Sequence, residues 1–154
     1  IIMKEILNTN LFTLDNTIGR YCITTNGTIT SYNKVVMGRG TALIAKDLYP
    51  GIDSDLAAHI KLNGLHVAYL NRFNIIAFPV KYNWNQSADL KLIEASCVEL
   101  LQMIDFHKWE HKSIYLPRPG CGNGNRDWLR EVKPICEKWF SNRNNIIIVT
   151  LDKE

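Results

Sequence analysis

Two glycine-rich segments carry the most suggestive chemistry in this 154-residue chain. The first is Met37-Gly38-Arg39-Gly40-Thr41-Ala42, between a predicted strand and a predicted helix. The second is Pro117-Arg118-Pro119-Gly120-Cys121-Gly122-Asn123-Gly124-Asn125, again directly after a predicted strand. Glycine lets backbone N–H groups come close to an anion with no Cβ in the way. A helix start beside such a loop adds the positive end of a dipole. Either loop alone reads as a tight turn between sheet and helix. Two of them at equivalent sheet ends could grip a diphosphate from both sides. The spacing is not the G-x-G-x-x-G fingerprint of dinucleotide folds, and no G-x-x-x-x-G-K-[ST] P-loop exists.

Other reactive side chains weigh differently. Lys81 follows Pro79 at a predicted strand end. A lysine there acts as a nucleophile only if desolvation or nearby cations lower its pKa. Otherwise it is a cation for a leaving group or phosphate, or simply a solvated loop residue. Tyr82 and Trp84 flank the same loop and could stack on a base or sugar, or cover the adjacent helix. His107 and His111 have a spacing that suits metal binding, but no third ligand is near in sequence, so both read as surface residues and no metal is expected. Cys121 sits between two glycines with no positioned histidine, so it reads as a loop-packing residue. Trp128 and Trp139 read as core.

The elements that must hold these loops follow from hydrophobic periodicity. Strands are expected at Glu5-Ile6-Leu7, Tyr21 to Thr24, Lys34 to Met37, His66 to Leu70, Ile75 to Val80, Ser113 to Leu116 and Ile146 to Leu151. The last is fully apolar, as near the centre of a sheet covered on both faces. Helical spacing runs from Thr41 to Tyr49, stopped by Pro50-Gly51. A second helix, capped by Asp53 or Ser54, runs to Leu62 before Gly64. Ser87 is the expected cap of a long helix with its apolar stripe at Leu90, Ile93, Cys97, Leu101 and Ile104. Asp127 opens a turn, and Pro134 belongs in the first turn of the helix that follows. This order implies an α/β fold, a three-layer α/β/α sandwich with a central mixed sheet, in one domain over residues 1–154. Ligands of such sheets bind beyond the strand C-termini, where both glycine loops lie.

Composition sets the frame. With 46% hydrophobic and 21% charged residues the chain is an ordinary globular domain. No apolar run approaches the ~18 residues of a membrane span. The opening IIMKEILNTN carries acid and amide groups too early for a secretory signal. Four cysteines without a C-x-x-C pair fit a reducing, cytoplasmic setting. A net charge of +3 mildly favours an anionic ligand and is too small to argue for a nucleic-acid surface. No heptad or apolar stripe points to an oligomer, so a monomer is expected.

Five segments together carry a resemblance: Cys22-Ile23-Thr24-Thr25-Asn26, the Met37–Ala42 loop, Phe78-Pro79-Val80-Lys81, Leu116 to Gly124, and Asp127-Trp128. In order and spacing the chain resembles the macrodomain family from Asn8 to Leu151. Within it, the chain is most similar to the branch of terminal-ADP-ribose glycohydrolases and of antitoxin macrodomains that remove ADP-ribose from DNA bases. The resemblance implies binding of ADP-ribose, or of an ADP-ribosylated DNA or protein, without a cofactor. Asn10 matches the position where the family holds the adenine amino group with an aspartate, and Leu11 follows it. Thr24, Thr25 and Asn26 match the segment beside the distal ribose. Met37, Gly38, Arg39, Gly40 and Thr41 match the first phosphate loop. Pro119, Gly120, Cys121, Gly122, Asn123, Gly124 and Asn125 match the second. Lys81 matches a lysine near the anomeric carbon. Hydrolysis of the ADP-ribosyl glycosidic bond is then implied, with Lys81 and Asn26 catalytic. A non-catalytic reader and an ADP-ribose 1″-phosphate phosphatase are the alternatives. Two departures stand out. The segment from Asn26 to Met37 is longer than in the terminal-ADP-ribose enzymes and is expected to form a small hairpin. The aspartate that works with their lysine is replaced by Gly124, as in the antitoxin branch, and Asp127 is expected to cap the next turn. Gly122→Glu should abolish ADP-ribose binding in calorimetry, because its carboxylate would stand where the diphosphate lies. Unchanged affinity would make the second loop a mere turn.

Overall fold

The structure, a computed structural model, describes residues 3–151. The single-domain expectation therefore reaches beyond the described residues at both ends. The strands are β1 (Lys4–Ile6), β2 (Gly19–Asn26), β3 (Ala68–Leu70), β4 (Ile75–Lys81), β5 (Ser113–Leu116) and β6 (Ile146–Val149). The helices are α1 (Gly40–Leu48), α2 (Ile52–Asn63), α3 (Leu90–His107) and α4 (Lys133–Phe140). A 3-10 turn spans Leu11–Thr13, and a π turn at Trp128–Val132 leads into α4.

One sheet holds the strands in the order β1-β6-β5-β2-β4-β3. All neighbours are parallel except β3, which runs antiparallel to β4. The period of two along each strand splits the core. Cys22, Ile76, Phe78 and Leu116 face the α3 and α4 side, with Ile93, Leu100 and Phe140. Tyr21, Ile23, Ile75 and Ala77 face the α1 and α2 side, with Ala45, Ile52 and Leu56. This is the expected three-layer sandwich with a mixed sheet. Its parallel strands β2, β4, β5 and β6 all end on one edge, at Asn26, Lys81, Leu116 and Val149.

Several local expectations shift. Lys34 to Met37 is not a strand: only Val35 bridges, antiparallel, to Ile29. Its hydrogen bonds close a small hairpin instead, Thr30 N–H to Lys34 O and Val36 N–H to Thr28 O. β6 ends at Val149 and lies between β1 and β5, second from the edge, because β1 adds outside it. Asp89 rather than Ser87 caps α3, accepting from Leu92 N–H. Gly51, at φ 95°, opens α2 one residue before Ile52, so Asp53 sits inside the first turn. Trp128 is buried, but Trp139 is only half-buried and donates its indole N–H to Glu94. Pro134 lies in the first turn of α4, and Asp127 caps the turn before it by accepting from Arg130 N–H.

One buried bond anchors the strand that carries Lys81. Ser96 of α3, fully buried, donates its hydroxyl to Pro79 O at 2.7 Å. Ser96→Ala leaves that carbonyl unsatisfied and should lower the unfolding free energy by about 1–3 kcal/mol in urea titration; a change within about 0.5 kcal/mol, the usual size for a neutral surface substitution, would show that the bond contributes nothing net.

Candidate functional site

The four strand ends border one crevice of about 810 Å³. Lys81, Asn26, Asn10, Leu11, Thr24, Thr25, Met37, Gly38, Arg39, Gly40 and Thr41 all line it. So do Gly120, Cys121, Gly122, Asn123, Gly124 and Asn125 of the second loop. Pro119 does not: it is buried under that loop, where its carbonyl accepts the Cys121 thiol at 3.3 Å. The two loops nearly meet, since a Cβ on Gly40 would lie 3.7 Å from the Asn123 amide nitrogen.

The second loop is folded back on itself. Arg126 N–H donates to Gly120 O at 3.0 Å, and Asn125 N–H donates to Gly122 O at 3.2 Å. Ala88, just before α3, docks into it: its N–H donates to Gly124 O at 2.9 Å, and its carbonyl accepts Arg126 Nε at 2.7 Å. The glycines here have unequal reasons to be glycine. Gly120 has φ 72°, and a Cβ there would meet Ala88 Cβ at 2.6 Å. A Cβ on Gly124 would run into Gly120 O. Gly122, and Gly38 of the first loop, have ordinary φ and nothing within 4 Å of a Cβ. The fold does not require these two to be glycine. They leave main chain bare toward the crevice, one from each side.

α1 starts within the first loop at Gly40, so its free N-terminal N–H groups belong to the crevice wall. Thr41 Oγ1 accepts from Thr24 N–H at 3.3 Å and ties α1 to the end of β2. At that end the register shifts, so that Thr25 pairs with Pro79 but Asn26 pairs with Lys81. The irregularity sets the two residues with implied catalytic roles side by side. Lys81 Nζ donates to Asn123 O at 3.0 Å and to Trp84 O at 3.3 Å. Burial, and then the positive charge of Arg39, hold its pKa below the ordinary lysine value. Two of its three N–H donors are thus committed, and one is left for a ligand. The Asn26 amide braces the hairpin at both ends, donating to Val36 O and accepting from Thr28 N–H, each at 2.9 Å.

Cys121 is held as a thiol, its pKa pushed up to about 12 by burial. His107 stacks on Trp109 with ring centroids 4.3 Å apart and packs edge-on against Tyr69. Trp84 lines the crevice while half-exposed, whereas Tyr82 stays outside it and accepts Gly27 N–H through its carbonyl. The loops around the crevice (residues 26–39, 81–87 and 117–126) hold Lys34, Arg39, Lys81, Arg118 and Arg126 and no Asp or Glu.

No protein-family model and no curated protein sequence matches the chain. Solved structures do match in shape. The macrodomain of Mycobacterium tuberculosis DarG has a TM-score of 0.73 at 22% identity, covering 96% of this chain and 99% of that one. The macrodomain of Thermus aquaticus DarG has a TM-score of 0.74 at 20% identity, over 99% of both chains. The fold is that of a macrodomain. A third structure, Thermosipho africanus DarTG in complex with ADP-ribose, has a TM-score of 0.75 at 18% identity. It covers 97% of this chain, which spans only 42% of that longer one.

Within the macrodomain fold, sequence reasoning passed over part of the crevice wall. Asn85, Gln86 and Ser87, Arg118 and Arg126, Ile44, and Val149 to Leu151 all line it. The last three follow directly from the strand-end rule applied to β6. The arginines show in the local charge tally, which the whole-chain charge of +3 conceals. The macrodomain loop geometry makes a paired prediction. Gly124→Ala should cost about 1–3 kcal/mol of stability, as overpacking does, while Gly122→Ala stays within about 0.5 kcal/mol. Equal effects in thermal or urea unfolding would refute the distinction drawn between these glycines.

Proposed function

We propose that this crevice binds ADP-ribose and that the protein hydrolyses the glycosidic bond joining ADP-ribose to a nucleic-acid base or a protein side chain. The observation that carries the reading is the pair of glycines, Gly38 and Gly122, that packing does not require, one in each loop beside a crevice that Arg39 and Lys81 also line. Bare backbone on both sides of a carboxylate-free cleft suits a diphosphate. The Thermosipho africanus protein, 42% of which this chain matches in fold, is in complex with ADP-ribose, and this supports the choice of ligand.

In this reading the loops hold the diphosphate so that the anomeric carbon comes to rest near Lys81. Water adds its oxygen to that carbon as the bond to the conjugate breaks, and a proton goes to the departing group. Lys81, as an ammonium, is the cation placed to donate that proton or to offset the developing negative charge. Its lowered pKa makes it a better acid than an ordinary lysine. Asn26 positions the hairpin beside the ribose. A non-catalytic reader remains as a second reading, favoured by one observation: the close approach of Gly120 O to Gly124 leaves no room for a side chain there, so no carboxylate can join Lys81 from that position.

The test uses ADP-ribosylated DNA and ADP-ribosylated protein, with wild type beside Lys81→Ala. Release of ADP-ribose should fall about 100-fold or more in the variant, the scale of a lost acid or electrostatic group, while calorimetric affinity for ADP-ribose changes far less. The pH profile carries the sign. If the ammonium acts, the rate falls as pH rises through the Lys81 pKa, and the fall begins below the range of a free lysine. A rate rising over that window would make Lys81 a neutral nucleophile. Tight binding with no release from either substrate would leave the reader.

A further inference from the structure

Main-chain carbonyls hold Lys81 in place. Its Nζ donates to Asn123 O and to Trp84 O, and Gly124 leaves no room for a side chain to share the task. A carbonyl orients an ammonium without neutralising it, but only as firmly as the carbonyl itself is held. Asn123 belongs to the second glycine loop, into which Ala88 docks. Trp84 belongs to the 82–87 loop, which has a different support. Trp84 N–H donates to Thr28 Oγ1 at 3.0 Å, and Gly27 N–H donates to Tyr82 O at 3.2 Å.

Thr28 is the node of the hairpin between Asn26 and Met37. Its N–H donates to Asn26 Oδ1 at 2.9 Å, its carbonyl accepts Val36 N–H at 3.0 Å, and its hydroxyl accepts from Trp84. The hairpin itself rests on α2. Val35 is buried, and its N–H donates to Asp53 O at 3.2 Å. Near the tip, Lys61 of α2 donates to Asn33 Oδ1. A path of bonds therefore runs from α2 through the hairpin, Thr28 and Trp84 to the ammonium of Lys81. Thr28 lies behind the crevice wall and does not line it, so it bears on a ligand only through its neighbours.

We infer that Thr28 is a positioning residue for Lys81 that acts through Trp84; the inference rests on the hydrolytic reading above. Trp84 is half-exposed, so water can replace the partner of its N–H once the Thr28 hydroxyl is gone. The bond therefore adds little to stability. Water does not replace its direction. Without a fixed support the Trp84 carbonyl drifts, and Lys81 drifts with it. A misplacement of about 1 Å at a reacting group costs up to about 100-fold in rate. The hairpin thereby bears on the chemistry through a side chain that never meets the substrate.

Three variants isolate this role. Thr28→Val keeps the shape of the side chain and removes the acceptor, while Thr28→Ser keeps the acceptor. Thr30→Val makes the same change near the hairpin tip, where Thr30 Oγ1 accepts Tyr32 N–H. Steady-state release of ADP-ribose from ADP-ribosylated DNA and from ADP-ribosylated protein would be compared with wild type, with thermal unfolding alongside. The expected kcat of Thr28→Val is lower by about tenfold or more with KM within about twofold, the mark of lost placement rather than lost binding. Thr28→Ser and Thr30→Val should both keep the wild-type kcat. A Thr28→Val kcat within about threefold of wild type overturns the inference and leaves the proposed function intact. So does an equal loss in Thr28→Ser or Thr30→Val. So does a Thr28→Val chain that no longer melts near wild type, because the bond is then structural. Release of nothing from either substrate by wild type overturns the proposed hydrolysis and this inference together.

Discussion

The crevice depends on one backbone contact, the docking of Ala88 into the second glycine loop. Its N–H bonds Gly124 O, its carbonyl accepts Arg126 Nε, and its methyl group fills the space that a Cβ on Gly120 would need. Ala88 is fully buried. It lies next to Asp89, which caps α3 and whose N–H donates to Val80 O at 2.9 Å. A short chain of bonds thus ties the end of β4, the start of α3 and the loop after β5 into one unit. Lys81 adds a cross-link from the same strand end, through Nζ to Asn123 O. The position of the second glycine loop is then fixed by the sheet and by this junction.

The rigidity has a chemical consequence. Backbone amides stabilise an anion well only when they are already in place, because reorganising them would offset the gain. The loop closes through its own bonds at Gly120 and Gly122, and its two crowded glycines allow no side chain to loosen it. Gly38 and Gly122 serve the opposite purpose and leave space. One constraint therefore accounts for both what the crevice can hold and what it lacks. The crowding that stiffens the loop also shuts out a carboxylate at Gly124. Positive charge at that end of the crevice comes from Lys81 and Arg39, and the Arg39 charge adds to burial in holding the Lys81 pKa down.

The sheet and its two helical layers were legible in the sequence because they rest on periodicity. The apolar run of β4 and the stripe of α3 repeat over enough residues to exclude other readings. Short elements were not. Lys34 to Met37 has strand composition, yet its partner, Ile29, is so near that a tight turn consumes the pairing. The choice between Ser87 and Asp89 as cap turns on which side chain reaches an N–H, and both residues suit the role by type. In the crevice, the glycine loops and Lys81 stood out by type and spacing. Pro119 was misplaced because sequence order does not tell which residue of a loop faces down. Arg126 and the Val149–Leu151 wall stayed hidden because ordinary residue types become part of the site only through the junction at Ala88 and the end of β6.

The register shift between Thr25 and Asn26 shows how a small irregularity serves the site. Without it, Asn26 would pair with Val80, a core residue, and Lys81 would run one position past the sheet. With it, Lys81 remains in the last position of β4, where the sheet fixes its backbone. Its side chain is then anchored at two carbonyls from two different loops. An ammonium held in this way keeps little rotational freedom, so the entropic cost of placing it against a bound anion is met in folding. The lowered pKa and the fixed geometry arise from the same burial. Loosening the 81–87 loop would therefore move the lysine pKa back toward its ordinary value and remove the positioning at once.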